Sequence, residues 1–63
     1  MGAPLRLTFE FYLDDGSPVR VFQPFTCGLR EEVMPAALHL LESQGLRSIE
    51  VHEFGSHLFT LKG

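Results

Sequence analysis

His39, His52, His57 and Cys27 are the residues with the widest chemical range in this 63-residue sequence, with Glu53 and the Asp14-Asp15 pair as nearby carboxylates. Cys27 precedes a helical stretch, where a helix N-terminus lowers a thiol's pKa. A nucleophile also needs a base within reach. His39 lies too far along that helix, roughly 15 Å by helical rise, which leaves His52 or His57. Free cysteine usually packs as a small apolar residue, and that is the expectation here. The same histidines, Cys27 and Glu53 carry donor atoms for zinc, yet no pair has ligand spacing, and ligands must converge. Asp14-Asp15 sits before Gly16, where turn chemistry alone favours Asp. The expectation is therefore no catalytic residue, no metal site and no cofactor.

A second constellation mixes aromatic rings with cations. Arg6, Thr8, Tyr12, Arg20, Phe22, His52, Phe54 and Lys62 fall on one side of the strands described below. Such a face suits base stacking, as in single-strand RNA binders. Glu10 and Glu50 share it, and the net charge is −3, with five Lys and Arg against eight Asp and Glu. That balance works against phosphate attraction. An ordinary solvent face or a protein interface fits better than a nucleic-acid platform. No phosphate-binding glycine loop, Ser/His/Asp set or dinucleotide fingerprint is present in the sequence.

These side chains must be positioned by few elements. Residues 29–45, LREEVMPAALHLLESQG, form the only stretch with helical periodicity. Leu29, Val33, Ala36, Ala37 and Leu40 make one stripe, and Met34, Leu38 and Leu41 widen it beyond what covering one sheet requires. Pro35 predicts either a kink or a separate first turn, with the regular helix starting near Pro35. Gly45 is a C-terminal stop. Before the helix, residues 5–13 alternate without exception. Leu5, Leu7, Phe9, Phe11 and Leu13 face one way, which predicts a half-buried strand. Phe9 and Phe11 should be deeply buried and Tyr12 less so. A turn at residues 14–18 leads to a second strand, Val19 to Gln23, with Leu13 opposite Val19. Pro24 to Gly28 ends it. After the helix, Ser48 to Glu53 and His57 to Leu61 make a second hairpin. An odd loop, Phe54-Gly55-Ser56, aligns Ile49, Val51, His57, Phe59 and Leu61. It also sends His52 and His57 to opposite faces.

The order strand-strand-helix-strand-strand predicts an α+β domain of two layers, ββαββ, with one helix packed on a four-stranded, mostly antiparallel sheet. The favoured strand order is 2-1-4-3, with the first and fourth strands parallel in the centre. In element order this is similar to the β-grasp group, which includes ubiquitin-like and sulfur-carrier proteins. The resemblance covers most of the chain without a shared motif. Carriers of that group are activated on a Gly-Gly tail, whereas this sequence reads Leu61-Lys62-Gly63, so the carrier function is not carried over.

The whole chain, residues 1–63, is expected to be one domain. A chain this short buries only about 60% of its unfolded surface. Its single cysteine excludes an internal disulfide. A partner subunit is then the expected support, and the sequence offers two surfaces for it. Tyr12, Phe22, Phe54 and Leu58 line the sheet face that one helix cannot cover, and Met34, Leu38 and Leu41 form the helix flank. A homodimer or larger assembly is expected, and another protein is a further possible partner. The expected role is an interaction or regulatory module without catalytic activity. The alternative is a nucleic-acid-associated or toxin–antitoxin-type component using Arg6, Tyr12, Arg20 and Phe22. MGAPLRL lacks the apolar core of a secretory signal, and no membrane association is expected, so the expected location is cytoplasmic. The sequence has no Asn, and Arg outnumbers Lys. That composition fits a thermophilic bacterium, and a GC-rich genome would give the arginine bias equally well.

Overall fold

The computed structural model describes residues 6–63. Met1 to Leu5, including the expected tail and the first residue of the alternating strand, lie outside the described residues. The elements are β1 (Leu7–Asp14), β2 (Val21–Cys27), a 3-10 turn (Arg30–Glu32), α1 (Val33–Ser43), β3 (Ser48–Glu53) and β4 (Ser56–Lys62). They form two layers, one helix on a four-stranded antiparallel sheet in the order β2-β1-β3-β4. The α+β class and element order are as the sequence predicts. The strand order is corrected: β3, not β4, lies beside β1, and the central pair is antiparallel. The β-grasp likeness therefore stops at element order.

The chain itself explains the order. Only residues 44–47 separate α1 from β3. The Arg47 N–H donates to the Asp14 carbonyl at 2.8 Å, docking the start of β3 against the end of β1. Ile49 and Val51 of β3 are fully buried. β4 carries Ser56, His57, Thr60 and Lys62, all exposed, a composition that suits an edge strand.

β1 holds the expected faces. Phe9, Phe11 and Leu13 are buried under the helix, and Tyr12 is only half-buried. β2 is displaced from its expected position: Leu13 pairs with Val21 instead of Val19, and the strand continues through Pro24 to Cys27. A shift of two residues preserves every face, so Phe22 still shares the outer face with Tyr12, and it now lies directly opposite Tyr12 instead of Glu10. Pro24 is tolerated because β2 is an edge strand, where a missing N–H need not break the ladder. The Phe11 and Phe25 rings stack at 5.0 Å on the helix side.

The helix begins by the second of the two expected routes. A 3-10 turn precedes it, and Pro35 is the third residue of α1, a position whose N–H has no intrahelical partner. The Glu32 carboxylate accepts the Leu29 N–H at 2.8 Å and closes the turn. Cys27 is buried, and its Sγ donates to the Leu29 carbonyl at 3.1 Å. At the far end, Leu46 N–H donates to Leu41 O and Gly45 N–H to Glu42 O. With Gly45 at φ 61°, this is a Schellman stop. Leu41 and Leu46 are both buried in the same cluster, the apolar contact that accompanies such a stop.

The loop after β1 is held by its own side chains. Asp14 Oδ1 accepts the Gly16 N–H at 3.0 Å, and Asp15 Oδ1 accepts both the Ser17 hydroxyl and the Ser17 N–H. The Ser17 hydroxyl is the main reason the Asp15 carboxyl lies below its ordinary value of 3.8. A lowered acid pKa means this contribution is present above that value and is lost as pH falls through the folded-state pKa. Ser17→Ala should raise the Asp15 pKa toward 3.8 in an NMR pH titration. An Asp15 titration identical to wild type would show that the hydroxyl bond is not formed in solution.

Candidate functional site

The sheet face away from the helix is the surface with organised chemistry. The pairing Phe22↔Tyr12↔Glu50↔Thr60 crosses all four strands, and Pro24↔Glu10↔His52↔His57 runs beside it. Four rings from these two rows make a continuous ladder. Tyr12 lies 5.4 Å from Phe22 and 4.9 Å from His52, and His52 lies 5.3 Å from His57. The last two contacts are edge-to-face, a favourable arrangement for aromatic quadrupoles. The ladder has one ring from each strand, and Phe22 at its end is 53% exposed.

Charge on this face is largely internally matched. Arg20 pairs with Glu50 Oε2, and Glu50 Oε1 lies 3.2 Å from His52 Nε2. His57 Nε2 lies 2.8 Å from the Thr60 hydroxyl. Glu10 accepts the Gly55 N–H of the hairpin turn at 3.1 Å. On the other face, Arg30 makes a two-bond clamp with Glu53 at 2.6 and 3.0 Å and lies 5.6 Å from the Phe9 ring centroid. Hydrogen bonding and charge from Glu53 raise the Arg30 pKa above its ordinary value.

The second hairpin requires a correction. Its loop is two residues, Phe54-Gly55, with φ 52° and 78°. Positive φ at both positions is the pattern of a type I′ turn. β4 then carries one extra residue, Leu58, opposite the step from Val51 to His52. Ile49, Val51, Phe59 and Leu61 align as expected because the bulge restores their register, but the two-residue turn sets His57 opposite His52 on the same face. The sequence argument had separated these histidines. No signal in the sequence marks the bulge, because Phe is an unusual first residue for such a turn.

The expected interface residues divide. Phe54 and Leu58 are exposed at the hairpin end, 89% and 42%. Met34 and Leu38 are exposed on the helix. Leu41 is corrected: it is a core residue at 6% exposure and contributes nothing to an outer flank. Arg6 is exposed just before β1. Cys27 and His39 are not brought together with the ladder. Among the described residues, no pocket is present, and no group of three or more His, Cys, Asp and Glu side chains converges as metal ligands. Among the described residues, no helix is long and apolar enough to cross a membrane.

No protein-family model matches the chain, and no curated protein or solved structure matches it either.

Proposed function

We propose that this protein is a small self-associating interaction module that works by binding rather than catalysis, with the outer sheet face as its contact surface. The ring ladder Phe22–Tyr12–His52–His57 carries the reading, because no element among the described residues lies on that side of the sheet. Exposed apolar area in a continuous patch usually marks a contact, and a two-fold pair is the commonest arrangement. The sheet edges suit this role less well. β2 has Pro24, and β4 has a bulge and Lys62; all three features discourage strand addition.

The RNA reading is less well supported. Arg20 is already paired with Glu50, and Glu10 lies in the same face. A stacking platform for nucleic acid needs unpaired cations along the backbone path.

In sedimentation equilibrium at micromolar concentration, the wild-type chain should run at twice its 7.1 kDa mass or more. Phe22→Glu should run as a folded monomer, since a carboxylate buried in an apolar interface is strongly unfavourable. A wild-type monomer, or an unchanged assembly in Phe22→Glu, would refute the assignment. A salt-sensitive retarded band on single-stranded RNA, lost in Arg20→Ala, would favour the nucleic-acid reading.

A further inference from the structure

We propose that His52 and His57 form half of a transition-metal site, completed by the same pair from a second copy docked on the outer sheet face. The inference rests on the self-association reading and adds a ligand to it. Imidazole donors suit zinc, copper and nickel, and four neutral nitrogens give the tetrahedral set that zinc prefers.

Three features converge on this pair. The first is register. His52 and His57 are directly opposed across β3 and β4, and opposed residues on one face place their Cβ atoms only about 5 Å apart. The second is the bulge. The two-residue turn sets His52 opposite His57, and the extra residue, Leu58, then returns Phe59 and Leu61 to the core face, so the strand keeps both its core register and the histidine pair. Bulges recur where a strand must re-aim a functional side chain. The third is hydrogen bonding. A carboxylate can only accept, so the neutral His52 ring presents Nε2–H to Glu50 and keeps its lone pair on Nδ1. The Thr60 hydroxyl, 2.8 Å from His57 Nε2, can accept from it in the same tautomer. Metal-binding histidines characteristically donate their other ring N–H to such a partner.

The site is incomplete within one chain, since no third ligand converges among the described residues. Its surroundings fit a second copy as the source of the rest. Phe54 and Leu58, which bracket His57 in the hairpin, are both exposed. Phe54 also holds a left-handed φ of 52°, a conformation that bulky residues rarely adopt. A two-fold axis passing near the histidine pair places these apolar residues around the metal and removes them from water. The face also supplies counter-charge, because Glu10 lies opposite His52 and Glu50 lies beside it.

The test is sedimentation equilibrium of the full chain in a chelator and with added zinc, with bound zinc measured by elemental analysis after dialysis. The expected result is one zinc per two chains and self-association tightened by about tenfold or more, as ligand linkage requires. His52→Ala and His57→Ala should each abolish zinc binding and any tightening of self-association on adding zinc. His39→Ala should retain the effect. An assembly indifferent to zinc would overturn the metal site and leave the module reading standing. One zinc bound to each monomer would overturn completion by a second copy. A monomer that binds no zinc would refute both.

Discussion

Phe9→Ala is expected to leave the protein largely unfolded. Phe9 is 1% exposed on β1, one of the two central strands, opposite Phe25 and within the cluster of Phe11, Leu13, Val33, Ala37, Ile49 and Val51. Truncating a buried phenylalanine removes its transfer free energy and leaves a cavity, together costing about 3–5 kcal/mol. A chain of this length has a total stability on the order of 3–9 kcal/mol, so the loss approaches the whole. Packing around Phe9 cannot collapse easily, because Arg30 above the ring is held by Glu53. Urea denaturation followed by far-ultraviolet circular dichroism measures the effect, at one protein concentration because self-association shifts apparent stability. A loss below about 1 kcal/mol, the ordinary size of a surface change, would overturn the burial of this face.

Phe9 was legible from the sequence because strict alternation fixes a face whatever the partner strand does. β2 shows how robust that inference is. Its pairing moved by two residues and its end ran past Pro24, yet Phe22 and Tyr12 remained on one side. Period-two patterning is blind to even shifts, so it finds faces and misses registers. Strand order was not legible for a related reason. Both β3 and β4 carry alternating apolar residues, and alternation does not say which is central. The discriminating features were the short 44–47 connection, docked on Asp14, and the exposed polar residues of β4.

The histidine pair marks the limit of sequence reading in this chain. The predicted loop and the observed loop differ by one residue, and the bulge at Leu58 returns that residue two positions later. The core therefore packs identically in both versions, and only the tip of the hairpin changes face. Nothing in hydrophobic patterning registers that difference. The turn itself breaks local preference, with Phe54 where Asn, Asp or Gly is favoured. Local rules tend to fail where a site constrains the chain, and here the failure falls next to the ring ladder.

Leu38 and Leu41 both extend the apolar arc of the helical wheel, and their truncations should behave very differently. Leu41 is 6% exposed and Leu38 is 43% exposed. Leu41 supplies the carbonyl that accepts the Leu46 N–H at the Schellman stop, and both side chains belong to the core cluster. Leu41→Ala should destabilise the fold by about 2–5 kcal/mol. The backbone bond survives alanine, so the loss reports packing, including the Leu41–Leu46 contact that seats the helix end. Leu38→Ala removes a side chain already near water and should change stability by no more than about 0.5 kcal/mol in a monomeric background such as Phe22→Glu. At 100° per residue Leu41 lies about 40° beyond Ala37 and Leu38 about 100° beyond it, so the wheel puts Leu41 nearer the core and does not say where the buried arc ends. The stop at Gly45 turns the chain so that the Leu46 N–H bonds the Leu41 carbonyl, and both side chains belong to the core cluster, which does not include Leu38. Thermal and urea unfolding of the two variants in parallel decides the matter. Equal losses for Leu38→Ala and Leu41→Ala would mean that the helix is rotated from the position described, with both leucines sharing the core.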